Sequence, residues 1–261
     1  MNHSEFAVLG SIDRLDATIQ WYHRVSSGHA RLAPTRLRIE PPPDGWERYA
    51  IGGGTGPWPH NSQEMANALL DRTDHEAVSA AGACVVLAVP DSAGFVPHTW
   101  RFRSGGYWLG GRVWVRRYSV IPESAPLGTV AHELGHLLFG WPDLRTRSGF
   151  DGDCLMAAGG HDGNGARPTP PCAPLRVAAG WAHPISARRE MTVAESEDQV
   201  IRVGSSLVEG TPHGTVIIYA DSTDPRLIAR VRADPDRRLL AVVAPRLRRT
   251  RKPIRRFTSD V

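Results

Sequence analysis

Residues 129–144 read TVAHELGHLLFGWPDL, and the pattern in this stretch decides how the whole chain is interpreted. His132 and His136 stand four residues apart, and Glu133 follows the first of them. On a helix, residues at i and i+4 lie on one face, so the two imidazoles can reach the same point. Apolar residues around them supply a face for burial. The stretch therefore predicts a helix, with Pro126 near its first turn and Gly140 at its C-terminal end.

Two neutral imidazoles one helical turn apart are typical ligands of zinc. A catalytic zinc has three protein ligands and keeps a fourth position for water. Glu133 stands where it can accept a proton from that water and act as a general base. We therefore expect one catalytic Zn²⁺ held by His132 and His136. The alternative is an ordinary amphipathic helix with two histidines at the surface or the edge of the core.

A third ligand has to come from outside the helix. When a glycine ends the helix soon after His136, the chain can turn back and bring another donor to the metal. We expect Asp143 in GWPD to be that donor, with His161 in AAGGHDGNG as the alternative. Asp143 could instead accept a hydrogen bond from a ligand histidine, or cap the helix end.

The composition is that of a soluble globular protein. The chain has 261 residues, of which 41% are hydrophobic and 22% are charged. It contains no apolar run of about 18 residues, so we expect no membrane span. The first twenty residues do not resemble a secretory signal, which predicts a cytoplasmic protein, or a secreted one if a precursor segment is missing or the start is wrongly assigned. Cys84, Cys154 and Cys172 are expected to be free thiols, although the last two could pair on export.

The segments before the helix predict alternating helices and strands. Residues 62–74 have helical spacing behind a Ser62 cap, and residues 12–25 fit a helix or a strand. A short strand is expected over 36–40 and a central buried strand over 83–90. Residues 112–121 predict one strand leading into the helix. The loop at 51–61 lacks the context of a phosphate-binding loop. The fold class that we predict for the chain is α+β.

The chain after residue 184 has a different sequence pattern. Four short β-like runs lie at 199–208, 214–220, 227–234 and 238–247. We divide the chain into a catalytic domain at 1–184, a small β-rich part at 185–248 and a basic tail at 249–261. Seven basic residues lie within 246–256. They could bind nucleic acid, an acidic partner or a membrane surface, although a solvated tail is the simpler interpretation.

Further motifs extend the pattern to a known family. HELGHLLFGWPDL at 132–144 is followed by DCLMAAGG at 153–160 and PLRVAAGW at 174–181, with HTWRF at 98–102 and YSVIPES at 118–124 upstream. Together they resemble the immune inhibitor A-like family of bacterial zinc metallopeptidases, which is related to the metzincins. The resemblance covers about residues 83–185.

The resemblance implies a metzincin-like catalytic domain with a mixed twisted sheet, an active-site helix and a Met-turn. It implies His132, His136 and Asp143 as zinc ligands, Glu133 as the catalytic base and Met156 as the turn methionine. Members usually have a signal, a pro-segment and larger C-terminal domains, so this chain resembles a compact form of the family.

The chain departs from the family pattern in two places. Gly140 and Asp143 stand one residue further from His136 than is usual, and a one-residue bulge at the helix end can absorb this shift. The family also often has acidic residues after Pro-Asp-Leu that suit calcium. This chain has RTRSGFDGD, in which Asp151 and Asp153 are possible calcium ligands beside unfavourable basic residues.

Two functions follow from these observations. The first is a zinc endopeptidase that acts on proteins or peptides, with His161, Tyr107 and Tyr118 as candidates for stabilising the oxyanion. The second is a zinc-holding binding module without catalysis, with the basic tail contacting nucleic acid or a partner. Glu133 favours the first function, because zinc binding alone does not require it.

Overall fold

A computed structural model describes residues 2–50, 60–80, 84–103, 105–109, 113–144, 152–186, 200–203, 206–210, 215–221 and 224–232. The fold is α+β with a mixed sheet, as the sequence predicts. In these parts of the chain no helix is both long and apolar enough to cross a membrane. The fourth β-like run, the basic residues at 246–256 and Asp151 lie outside the described residues.

In the described residues, seven strands precede the histidine-bearing helix. They are β1 Asn2–Leu9, β2 Ala30–Leu37, β3 Cys84–Val89, β4 His98–Arg101, β5 Tyr107–Leu109, β6 Val113–Val115 and β7 Arg117–Pro122. Five of them form one sheet in the order β2-β1-β3-β7-β4. The first four strands in this order run parallel, and β4 pairs antiparallel with β7 at the edge. Strands β5 and β6 form a separate hairpin.

The helices cover the sheet. They are α1 Leu15–Val25, α2 His60–Leu70, α3 His75–Ala80, α4 Leu127–Leu134 and α5 Ala173–Ala178. Two hydrophobic clusters result, one with α1 and α4 and the other with α2, and alternate residues of β3 belong to each. This explains why β3 is a continuous apolar run, since a strand with packed layers on both faces has no side for polar residues.

The central strand predicted over 83–90 is confirmed as β3. The prediction of a single strand over 112–121 is wrong, because the strand is interrupted at Arg116. Strand β6 pairs in the hairpin, and β7 joins the main sheet. The strand predicted over 36–40 is also misplaced, since β2 ends at Leu37. The segment 12–25 contains helix α1. Ser62 does not cap α2, which begins two residues earlier at His60.

A second sheet follows the helices. It has the order β12-β11-β10-β9-β8, from strands β8 Ile185–Ser186, β9 Val200–Val203, β10 Ser206–Gly210, β11 Thr215–Asp221 and β12 Asp224–Arg232. Three of the β-like runs therefore form strands. Buried side chains of this sheet, among them Leu207 and Tyr219, belong to the same hydrophobic cluster as α1 and α4.

Candidate metal centre

The helix with the two histidines changes its winding between them. Helix α4 ends at Leu134, and the chain continues as a π-helical segment, Gly135–Phe139. A π-helical turn holds one residue more than an α-helical turn. A π-helical segment is a one-residue bulge, which can absorb the extra residue before Gly140. Gly140 then ends the helix with φ of 67°, a left-handed conformation that glycine adopts without strain.

Three potential ligand atoms converge at the end of this helix. Nε2 of His132 lies 3.1 Å from Nε2 of His136 and 3.1 Å from Oδ1 of Asp143. Nε2 of His136 lies 3.6 Å from the same carboxylate oxygen. In the described part of the chain, these three residues are the one group of at least three His, Cys, Asp or Glu side chains whose ligand atoms meet so closely. The group could hold a metal ion.

The other nitrogen of each imidazole is fixed by a backbone carbonyl. Nδ1 of His132 lies 2.9 Å from the carbonyl oxygen of Leu155, and Nδ1 of His136 lies 2.6 Å from that of Trp141. A carbonyl can only accept, so both Nδ1 atoms carry a proton and donate it. In the neutral imidazoles the lone pairs of both Nε2 atoms then point towards Asp143, which is the arrangement required of metal ligands.

The electrostatics favour positive charge at this point. The contacts with His132 and His136 hold the pKa of Asp143 well below its usual range. Burial lowers the pKa of His136, but the contacts with Asp143 and the Trp141 carbonyl outweigh it, so the pKa is raised. The two shifts have one origin, a carboxylate placed against two imidazoles, and a bound cation would satisfy the same carboxylate.

Close packing holds the floor of the centre in place. A Cβ atom at Gly135 would lie 2.8 Å from Sδ of Met156 and 3.0 Å from the ring of Trp141. The chain therefore needs glycine between the two histidines. Met156 is fully buried, and it follows directly after Leu155, whose carbonyl orients His132. Met156 thus lies under the helix, where it supports the segment that holds the first histidine.

Glu133 lies beside the centre and is 6% exposed. Its Oε2 accepts a hydrogen bond from the Thr99 hydroxyl on β4, at 2.8 Å. Burial raises the pKa of the Glu133 carboxyl, while His132 and the Thr99 hydrogen bond act in the opposite direction. Glu133 therefore has the position of a base that is partly shielded from water.

One open cleft of about 540 Å³ is lined by the three converging ligand residues together with Glu133 and Thr99. One wall is the edge strand β4 with the residues before it, and the other is formed by α4, Asp143 and the segment at Gly160 and His161. A Cβ at Gly128 on α4 would lie 1.9 Å from the Gly160 carbonyl oxygen. The helix and this segment can approach so closely because position 128 is glycine, and a Cβ at Gly160 would also be tight, at 3.3 Å from the Gly128 carbonyl oxygen.

The remaining predicted residues lie in different places. His161 lines the cleft but does not belong to the group of three converging ligands. Tyr107 contacts Asp71 through its hydroxyl, and Tyr118 lies buried with its hydroxyl 3.1 Å from Ser62. Neither tyrosine lines the cleft. Asp153 belongs to no cluster of potential metal ligands among the described residues.

Two further residues of the site were not anticipated from the sequence, Thr99 and Ser119. Their hydroxyls lie 2.6 Å apart, and both strands place them on the face that meets Glu133. The three cysteines are free thiols, and two of them, Cys154 and Cys172, are buried. The latter donates its backbone N–H to Sγ of the former at 3.3 Å.

A scan of protein-family models finds no match to this chain, and a search of curated proteins finds no matching relative. The resemblance to the immune inhibitor A-like peptidases therefore depends on the quoted motifs alone. What the geometry defines by itself is a cleft with a His-His-Asp group that could bind a metal and a buried carboxylate beside it.

Proposed function

We propose that this chain is a zinc-dependent endopeptidase with Glu133 as its general base. The observation that carries the proposal is the convergence of Nε2 of His132, Nε2 of His136 and Oδ1 of Asp143 in an open cleft beside Glu133. A metal that only stabilised the fold would be enclosed by four protein ligands. Three ligands at the wall of a cleft support a catalytic role instead.

The donor set fits zinc. Two imidazoles and a carboxylate are ligands that Zn²⁺ accepts in catalytic sites, and the locked Nδ1 protons present both Nε2 atoms for coordination. The same set also suits Fe(II). We favour zinc because Glu133 adjoins the site, since hydrolysis needs a base for water and oxygen activation by iron does not.

Glu133 supplies the proton transfers. Its carboxylate takes a proton from the attacking water and passes it to the amine that leaves when the peptide bond breaks. When bound, a zinc ion supplies a Lewis acid that makes water more acidic and polarises the substrate carbonyl. Burial raises the pKa of Glu133, and a higher pKa favours the protonated carboxyl that forms when Glu133 accepts the proton from water.

The edge strand supports a peptide as the substrate. Strand β4 pairs with β7 on one side, and its other edge has no partner strand in the described part of the chain. The first three residues of β4 and the two residues before it, Val96 and Pro97, border the cleft. An extended peptide could add to this edge through main-chain hydrogen bonds, which would carry a scissile bond past Glu133. Four parallel strands with one antiparallel edge strand above an HExxH helix also support a metzincin-like fold for this domain.

The proposal is tested by measuring metal content and cleavage together. The purified chain is loaded with zinc, its bound metal is determined by elemental mass spectrometry, and its activity is read on a library of peptides from a digested proteome. Glu133→Gln should retain the metal and lower kcat/KM by about 10²- to 10⁴-fold. Glu64→Gln, on an exposed face of α2, is the matched control and should cleave normally.

The outcomes separate the two functions. Cleavage that disappears with Glu133→Gln and with chelation supports the peptidase. Zinc retained by a chain with no Glu133-dependent cleavage would sink the peptidase and leave the zinc-holding binding module. The same metal measurement on Asp143→Asn and His161→Asn identifies the third ligand, and we expect the larger loss of affinity for Asp143→Asn.

A further inference from the structure

The geometry points to Thr99 as a positioning residue that orients the carboxylate of Glu133. Thr99 lies in the middle of β4, half-buried, and its hydroxyl is 2.8 Å from Oε2 of Glu133. The same hydroxyl is 3.0 Å from the backbone carbonyl oxygen of Glu133. This inference depends on the proposed function, because it assigns a role in the reaction that Glu133 would catalyse.

The direction of the hydrogen bonds follows from the chemistry of the partners. An ionised carboxylate and a backbone carbonyl can only accept, so Thr99 must donate to Glu133. The Ser119 hydroxyl, fully buried on β7 at 2.6 Å from the Thr99 hydroxyl, then has to donate to Thr99. The result is a chain of two hydroxyls whose last proton is shared between Oε2, the nearer acceptor, and the backbone carbonyl oxygen of Glu133, with Oε1 left for proton transfer.

The strand register explains how the two hydroxyls meet. Thr99 pairs directly with Ser119 across β4 and β7, so their side chains lie on the same face of the sheet. His98 and Trp100, the neighbours of Thr99 along the strand, belong to the opposite face by alternation. Only the side chain at position 99 can therefore support Glu133 from this part of the strand.

Without this donor, Glu133 would be a nearly buried carboxylate with less to fix its orientation. A free rotamer could turn the carboxylate towards the solvent of the cleft. A displacement of about 1 Å in a catalytic group can lower a rate by roughly 10²-fold. Thr99 should therefore affect the chemical step and leave metal binding unchanged, because the partners of its hydroxyl are Glu133 and Ser119 and not the candidate metal ligands.

The first test compares kinetics in zinc-loaded variants. Thr99→Val keeps the shape of the side chain and removes the hydroxyl, and we expect kcat to fall by about 10- to 100-fold with KM and zinc content nearly unchanged. Thr99→Ser restores the hydroxyl and should recover most of kcat. Thr35→Val, on strand β2 at the opposite edge of the sheet, is the matched control and should be as active as the unmodified chain.

The second test does not require activity. The urea midpoints of zinc-saturated chains carrying Thr99→Val, Glu133→Ala and both changes form a double-mutant cycle. If Thr99 holds the side chain of Glu133, Thr99→Val lowers the midpoint by on the order of 0.5 M when Glu133 is present and by much less when it is alanine. A role limited to the backbone carbonyl of residue 133 or to Ser119 would give additive shifts.

The two tests keep the inference separate from the proposed function. The role of Thr99 is overturned if the protein cleaves peptides and Thr99→Val retains full kcat. It is also overturned if the shifts of the urea midpoint in the double-mutant cycle are additive. Either result leaves the proposed peptidase function intact. If no chain shows Glu133-dependent cleavage while the midpoints are coupled, the proposed function is overturned and the contact between Thr99 and Glu133 stands.

Discussion

Three histidines of the cleft differ in what surrounds their nitrogen atoms. His132 and His136 each donate Nδ1–H to a carbonyl and direct Nε2 at Asp143. His98 also has Nδ1 near a carbonyl, that of Val96 at 2.7 Å, but its Nε2 lies 2.6 Å from the Ser62 hydroxyl. A carboxylate therefore faces the first two imidazoles and a hydroxyl faces the third. This difference separates candidate metal ligands from a histidine that stays neutral.

Burial lowers the pKa of His98 from its ordinary 6.5 to about 4, against the opposing effect of the Val96 carbonyl. The groups that face the ring include Ser62 from α2 and the aromatic rings of Trp100 and Tyr118. Between these two pKa values the unfolded chain binds more protons at this position than the folded chain. The stability that His98 contributes is therefore complete above pH 6.5 and decreases as the pH falls towards 4.

We predict that His98 accounts for a loss of about 2 kcal/mol in the free energy of unfolding between pH 7 and pH 5. His98→Gln cannot take up this proton, so its unfolding free energy should fall less over the same interval, as measured by urea denaturation at both values. The matched change at an exposed histidine, His183→Gln, should reproduce the pH dependence of the unmodified chain. Identical pH slopes for all three chains would contradict the prediction.

The π-helical segment is held by an arginine from the neighbouring sheet. Arg117, at the start of β7, donates from Nη1 to the carbonyl oxygens of His136 at 3.1 Å and Leu137 at 3.3 Å. These carbonyls lie in the last turn of the helix, where there are fewer intrahelical N–H donors than carbonyl acceptors. The cation also lies at the negative end of the helix dipole. Arg117 therefore stabilises the turn that carries the second histidine.

We predict that Arg117→Lys lowers the free energy of unfolding by about 1–2 kcal/mol, because an ammonium cannot reproduce the planar fork of the guanidinium. Zinc affinity should weaken by roughly 3- to 10-fold, since His136 is then less firmly held. Urea denaturation and competition with a chelator measure the two effects. Arg116→Lys, at the exposed preceding position, should change neither quantity, and an equal effect at both positions would contradict the role assigned to the Arg117 hydrogen bonds.

The elements also show what the sequence can predict and what it cannot. The i, i+4 spacing of His132 and His136 is local, and Gly140 is a local signal for the turn that brings Asp143 back. The continuous apolar run of β3 is likewise sufficient to predict burial on both faces. Each of these predictions needs only residues that are close together in the chain.

Other features depend on partners that are distant in sequence. The break at Arg116 arises because β6 and β7 pair with different strands. The direction of Tyr118, away from the cleft, and that of Thr99, towards Glu133, are set by the register of β4 on β7. A shift of one residue would exchange the two faces. Position in the sequence does not specify this register, so the support of Glu133 by two hydroxyls becomes visible only in the structure.

The second sheet is joined to α5 by a buried polar network. Nη2 of Arg176 lies 2.5 Å from Oε2 of Glu209, and both side chains are at least nine-tenths buried. Oε1 of Glu209 accepts from the N–H of Ala173 at 2.9 Å and from the Tyr219 hydroxyl. One carboxylate on β10 thus connects a helix end, an arginine of that helix and a neighbouring strand.

We predict that Glu209→Leu lowers the free energy of unfolding by about 3–5 kcal/mol, because it leaves Arg176 as a buried charge without its carboxylate. The paired change Arg176→Met with Glu209→Leu should cost less than Glu209→Leu alone, since no buried charge then remains. Urea denaturation measures both. Glu40→Leu is the control, because Glu40 pairs with Arg72 at the surface and exposed pairs contribute below about 1 kcal/mol. If the double variant is less stable than Glu209→Leu, packing by Arg176, and not its charge, secures the second sheet against the helix.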